Sequence, residues 1–223
     1  MPTTCWSSIR GRVMRFTRLN TCGAPVAGAK NTLVTGGFVS VSMSPQYEDG
    51  ESTRKKNAAG ELCLVDNGKA ALAQIDTEIN FCDINPDAWN IVTGQPLVLD
   101  LDGNAVGLRI GETVSSNWAL EVWTDVPGVE CDEEGLTPYG YFLLPFLFDG
   151  KIGDFTIEET AMDLSLTSST KRGSGWGLGP YNVDLNEPEL PATDPVPGKL
   201  LTPIGPKDHF DMHVTYVAPP AIP

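Results

Sequence analysis

The sequence predicts a mainly β protein, a body of short strands built to present surfaces rather than to run a reaction. Three observations lead there. The 223 residues include 23 Gly and 18 Pro, a content that favours many turns over long helices. Between Gly36 and Gly111, short β-prone runs are divided by Asp/Asn-Gly turns. Only one segment carries both a helix start and a helix stop signal. The length suits one domain, 1–223, large enough to bury a core. Its expected parts are a basic N-terminal segment (1–35), a projecting loop (44–60) and a Pro-rich C-terminal arm (184–223).

Val39-Ser-Val-Ser-Met43 alternates apolar and polar residues, the period of a half-buried strand. From Ser44-Pro45 to Gly60 the chain is polar and charged. That stretch is too long and hydrophilic for a hairpin turn and predicts a projecting loop. Leu62-Cys-Leu-Val65 predicts a strand ending at Asp66-Asn67-Gly68. From Ile75 to Phe81 the odd positions are Ile75, Thr77, Ile79 and Phe81, while Asp76, Glu78 and Asn80 share the other face. One strand therefore offers an apolar back and an acidic front.

Residues 85–93 read as a short helix. Asn85 can cap it, Pro86 fits the first turn, Asp87 opposes the positive dipole end, and Gly94 can take the left-handed stop. At little more than two turns it needs packing to survive, with Trp89 and Val92 as anchors. Leu97 to Leu101, Asp102-Gly103, and Asn104 to Ile110 predict a hairpin with a type I′ turn. Further strands are expected at 119–124, at 141–148 and 151–157 on either side of Asp149-Gly150, at 162–167 and at 210–217. The Pro-rich segment 186–206 reads as an extended arm.

Charge is segregated along the chain. Net charge is −14, yet residues 1–47 hold five basic groups (Arg10, Arg12, Arg15, Arg18, Lys30) and no acid. Glu48, Asp49 and Glu51 then balance Arg54, Lys55 and Lys56, and residues 57–223 set 7 basic groups against 26 acidic ones. Such a pattern suits contact between the basic region of one copy and the acidic face of another. A basic arm for nucleic acid is the rival, disfavoured because the acidic remainder repels a polyanion.

Catalytic and metal motifs fail on inspection. Asp100-x-Asp102-x-Asn104 matches the start of an EF-hand loop, but Ala105 and Gly111 stand where Gly and Glu are required. His209 and His213 lie on an alternating segment, where four residues span roughly 13 Å, too far to share one zinc; a solvated face is expected. Ser168-Ser-Thr-Lys171 matches S-x-x-K but ends a strand and lacks companion motifs. Gly173-Ser-Gly-Trp-Gly-Leu-Gly-Pro180 breaks the dinucleotide fingerprint and reads as a crossing where Trp176 and Tyr181 pack. Acid pairs such as Glu158/Glu159 do not stand out from the general acidity. Cys5, Cys22, Cys63, Cys82 and Cys131 are odd in number and widely spaced, which predicts free thiols. No catalytic, cofactor-binding or metal-binding residue is assigned. Membrane-length apolar runs and a secretory signal are both missing from the sequence, so the expected compartment is cytoplasmic.

The order of several phrases carries a resemblance. They are Arg10-Gly-Arg-Val-Met-Arg-Phe-Thr-Arg-Leu19, Cys22-Gly-Ala-Pro-Val26, Gly37-Phe-Val-Ser-Val41, Asn57-Ala-Ala-Gly-Glu-Leu-Cys63 and Phe81-Cys-Asp-Ile-Asn-Pro-Asp87. Leu120-Glu-Val-Trp123, Tyr139-Gly-Tyr-Phe-Leu-Leu-Pro145, Gly153-Asp-Phe-Thr-Ile-Glu158, Gly175-Trp-Gly-Leu-Gly-Pro-Tyr181 and Val217-Ala-Pro-Pro220 follow. Together they resemble the major tail proteins, or tail-tube subunits, of long-tailed, non-contractile bacteriophages, especially those of actinobacteria.

The resemblance implies a β-sandwich or partly closed barrel of the tail-tube type with a flanking helix. Copies form rings, six to a ring, that stack into a hollow tube conducting viral DNA without binding it specifically. The implied location is the virion, after assembly in the bacterial host cytoplasm, with no membrane contact. Beyond the protein itself, the implied partners are tape measure, tail terminator and distal tail proteins. On that footing Asp76, Glu78 and Asn80 are lumen-facing candidates, and Tyr47, Glu48, Asp49, Glu51, Arg54, Lys55 and Lys56 form the ring-stacking loop. Arg10, Arg12, Arg15, Arg18, Trp176 and Tyr181 are subunit-contact candidates. Three other readings compete: a tube of a contractile particle or secretion system, a carbohydrate-binding sandwich exposing Trp118, Trp123 and Trp176 in a row, and a carboxylate-based hydrolase.

Overall fold

Eight strands join into one antiparallel sheet in the computed structural model, which describes residues 7–82, 85–112, 114–127, 137–155, 164–173, 184–186, 196–198 and 202–222. In chain order the strands are β1 (Ile9–Arg18), β2 (Thr32–Thr35), β3 (Phe38–Glu48), β4 (Thr53–Lys56), β5 (Leu62–Asp66) and β6 (Ala71–Phe81). The helix α1 (Pro86–Thr93) precedes β7 (Leu97–Leu99), β8 (Ala105–Leu108), β9 (Asn117–Asp125), β10 (Tyr139–Ile152) and β11 (Leu164–Thr170). Short β12 (Asp184–Asn186), β13 (Val196–Gly198) and β14 (Asp211–Thr215) complete the set. The main sheet runs β2-β1-β9-β10-β11-β6-β3, with β14 added beside β10.

Its two edge strands, β2 and β3, are consecutive and joined only by Gly36-Gly37. The sheet must therefore roll until its edges approach. Phe38, Val41 and Met43 of β3 come to lie across from Val122, Phe142 and Phe210. The edges do not pair with each other, so the roll is not closed into a barrel. Inside it, Met14, Phe16, Ile79, Trp118, Leu120, Leu144, Leu147 and Leu166 form the main core. The helix α1 joins that core with Ala88, Trp89, Ile91 and Val92 buried. As expected, the Asn85 side chain accepts from the Asp87 and Ala88 amides, and Gly94 closes the helix at φ 71°.

β9 is buried on both faces. Its even positions Trp118, Leu120 and Val122 face the main core, whereas Ala119 and Trp123 join Leu19, Tyr141, Leu143 and Phe146 in a second core. β10 serves two neighbours along one edge, pairing Tyr139–Leu143 with β14 and Leu147–Ile152 with β11. Asp149-Gly150, expected to separate two strands, instead forms a bulge within this single strand, with Asp149 at φ 49° and a register shift between Phe148 and Lys151. The strand expected at 210–217 forms as β14 and joins the main sheet; in the segment expected as an extended arm β12 pairs with β13, and residues 187–195 and 199–201 lie outside the described residues.

The expected loop 44–60 is largely strand. β3 continues through Pro45 to Glu48, paired with β6; proline is tolerated because β3 lies at the sheet edge. β4 and β5 then form a separate projecting hairpin, every residue of which is exposed. With no buried face it shows no apolar alternation, which is why its first strand reads as loop. The β7–β8 hairpin forms as expected, but not with a type I′ turn. Gly103 donates to the Asp100 carbonyl and takes φ 85°, while Asp100 and Asn104 pair across the turn. This is a type I turn followed by a left-handed glycine. Asn57–Glu61 repeats the arrangement with Gly60 at φ 82°, and Asn20–Ala24 repeats it with Gly23 at φ 79°.

The β4–β5 hairpin leaves the body through a neck where Gly50 and Gly68 meet backbone to backbone. A Cβ on Gly50 would sit 2.6 Å from the Lys69 carbonyl oxygen and 2.7 Å from the Gly68 carbonyl carbon. Gly68→Ala is expected to force the two strands apart at a cost of about 1–3 kcal/mol. The checking measurement is limited proteolysis: faster cleavage within 48–70, with the remainder of the chain still resistant.

Candidate functional site

The outer face of β3, β6 and β11 is the first candidate surface. Alternation in β6 sends Ile75, Thr77, Ile79 and Phe81 into the core and leaves Asp76, Glu78 and Asn80 outside, as the sequence predicts. β3 lines Ser40, Ser42 and Ser44 beside them, and β11 adds Ser165, Thr167 and Ser169. Asp76 accepts from Gln74 Nε2 at 2.8 Å and from Ser169 Oγ at 2.6 Å; Asn80 Nδ2 donates to Ser40 Oγ at 3.1 Å. Glu78 is exposed, in register with Ser42 on one side and Thr167 on the other. A shallow groove over this face adds Asp149 and a single cation, Lys151. Short hydroxyl groups of this kind hydrate well, and the carboxylates among them repel phosphate. Among the described residues no group of acids, histidines and cysteines is placed to hold a metal ion.

The second surface adjoins the first, because β3 and β6 run directly into the neck of the hairpin. Tyr47 is exposed opposite Leu72, and Glu48, Asp49 and Glu51 follow on the surface. Arg54, Lys55 and Lys56 stand in a row along β4. Leu62, Leu64 and Val65 on β5 are 57%, 49% and 52% exposed, an unusual outlay of aliphatic surface on one small ribbon.

The N-terminal arginines are placed differently from one another. All four lie on or at β1, where Arg12 pairs with Asp125. Arg15 is bidentate to Glu121 and stacks 5.4 Å from the Trp123 ring centre. Arg18 Nη2 donates to both the carbonyl and side-chain oxygens of Asn90 on α1. Three of the four charges expected to meet a neighbour are thus engaged within the chain, leaving Arg10 exposed. Trp176 and Tyr181 lie outside the described residues, as do Cys5 and Cys131. Cys22, Cys63 and Cys82 are free and exposed.

Glu121 is fully buried, and the Tyr141 hydroxyl donates to it at 2.7 Å. Burial pushes its carboxyl pKa up, while the Arg15 fork and the Tyr141 hydroxyl pull the other way. Nothing in the sequence singles out this pair; an Arg and a Glu on neighbouring strands meet only once the register is known. The two histidines correct the expectation of a solvated face. His209 is 4% exposed and His213 packs on Tyr141 beside Asp211. Thr170 Oγ1 accepts from the Ile75 amide and hydrogen-bonds His209 Nδ1 at 2.7 Å. Ser168 and Lys171 hold structural bonds to the Phe148 carbonyl and the Asn117 side chain. Trp118 and Trp123 are 1% and 2% exposed and belong to different cores, so they form no row for a sugar.

No helix among the described residues is long and apolar enough to cross a membrane. No protein-family model matches this chain, and no curated protein matches it.

Glu121→Gln removes the buried negative charge that the Arg15 fork meets and is expected to cost about 3 kcal/mol in urea unfolding. Arg12→Ala, removing an exposed pair, should cost less than about 1 kcal/mol. His209 supplies a pH test. Burial, and to a smaller degree Arg172, lowers its folded pKa, with Asp208 opposing. A folded value below the unfolded one means the stability is present above the unfolded pKa, about 6.5, and is lost as pH falls through the folded value. The urea midpoint should fall on acidification from pH 7.5 to 5.5, and His209→Gln should flatten that decline.

Proposed function

We propose that this chain is the repeating subunit of a hollow tube, of the kind that forms the tail of long-tailed bacteriophages and conducts viral DNA. The observation that carries this reading is the β4–β5 hairpin. A two-stranded ribbon with no buried face is marginal alone, and its aliphatic side chains gain burial against another molecule. β3 adds a second feature. Among the described residues it pairs with β6 alone, so one side of an eleven-residue edge strand offers backbone donors and acceptors to a neighbour.

In this reading, copies join edge to edge into rings and end to end through the hairpins, and the Asp76/Glu78/Asn80 face lines the bore. Phosphates passing within a Debye length, about 8 Å at physiological salt, meet carboxylates and hydroxyls, and among the residues lining the groove Lys151 is the one cation. The chain's own copies are its main partners, and tape measure, terminator and distal tail proteins are those the family resemblance adds.

Negative-stain microscopy of the purified protein tests the reading: rings or tubes are expected, and uniform monomers at high concentration overturn it. Within a tube, Asp76→Asn with Glu78→Gln should leave assembly intact and slow DNA release, followed by dye fluorescence from triggered particles. Finding those side chains on the tube exterior removes the lining assignment.

A further inference from the structure

We propose that the β7–β8 hairpin is the seat on which the β4–β5 hairpin of a second copy docks. This rests on the tube reading and names the partner surface that reading leaves open.

Among the described residues between β3 and β9, two ribbons stand outside the main sheet as separate two-stranded units. Each spends aliphatic surface on solvent. β4–β5 shows Leu62, Leu64 and Val65; β7–β8 shows Leu99 at 53%, Val106 at 59% and Leu101, at the tip, fully exposed. Their charges are opposite where they are densest. β4 carries Arg54, Lys55 and Lys56 in succession with no acid. The β7–β8 tip carries Asp100 and Asp102, and its one cation, Arg109, lies at the far end of the ribbon. The Asp100 carboxylate is fixed by amides of Asp102 and Asn104, and hydrogen bonding from Asn104 holds it below the usual carboxylate range. Of the acids around the basic row, Glu61 in the turn is engaged by Asn57 Nδ2, while Glu51 and Asp66 lie at the neck end of the ribbon, away from its tip.

Position in the fold turns this match into a stacking contact. The first hairpin leaves from the Ala71 end of β6; α1, on which β8 packs, follows the Phe81 end. Ten residue steps of strand separate those ends by roughly 33 Å. A knob at one end and its complement towards the other make a heterologous contact, one that repeats in a single direction instead of closing on itself. The exposed aliphatic side chains of the two ribbons supply the buried centre of such a contact, and the charges set its register.

Charge exchange tests the pairing, with pelleting and negative-stain microscopy as readouts. Asp102→Lys, Lys55→Glu and Leu101→Ser should each raise the protein concentration needed for tubes by about tenfold, the size of one lost contact of about 1.4 kcal/mol. Asp102→Lys combined with Lys55→Glu should recover most of that loss, which independent sites cannot do. All three positions are exposed, so unchanged thermal melts should accompany the assembly defects. Wild-type tubes together with normal assembly of Asp102→Lys and Leu101→Ser overturn this pairing and leave the tube standing. Single-site losses with no recovery in the combination also overturn it. A wild-type protein that never assembles removes the tube reading and this pairing together.

Discussion

Gly36 and Gly37 are the whole connection between the two edges of a seven-strand path, and the shape of the molecule follows from that shortness. Three peptide steps from Thr35 to Phe38 span at most about 11 Å. A flat sheet of seven strands would hold its edges more than twice as far apart at about 4.8 Å per strand. The sheet must roll, and rolling creates an interior that α1 helps to fill. It also sorts the outer surface: on the β9 and β10 side a second apolar layer covers it, whereas on the β3, β6 and β11 side it stays polar.

Charge segregation along the sequence is less segregated in space. Arg12, Arg15 and Arg18 stand on a strand whose neighbours supply Asp125, Glu121 and Asn90, so much of the basic start is neutralised or hydrogen-bonded at home. Long-range attraction between an N-terminal patch and a distant acidic face is weakened accordingly. The cations left most open to another molecule are those of β4, set on a ribbon clear of the body.

Legibility in the sequence tracked burial. β6 and α1 could be placed closely because one face of each meets the core, which writes a period into the residues; Ile75, Ile79 and Trp89 show it. The acidic front of β6 followed from the same alternation. β4 could not be seen as a strand, because a ribbon wet on every side has no period to display. Asp149-Gly150 carries turn chemistry, and only tertiary pairing with β9 and β11 keeps β10 continuous through it. The shared turns did have a signal: Asn20, Asn57 and Asp100 each precede a glycine by three positions. The buried pairing of Arg15 with Glu121 had none, since it depends on register across 106 residues.

The turn at each ribbon tip is closed by its own first side chain. Asn57 Oδ1 accepts from the Ala59 and Glu61 amides, and Asp100 Oδ1 does the same for Asp102 and Asn104. A loop knotted this way holds its form without help from the body behind it. Whatever meets these tips finds them already shaped, and little conformational freedom is surrendered at the moment of encounter. Prominences that would otherwise whip about in water are thereby kept stiff enough to fit.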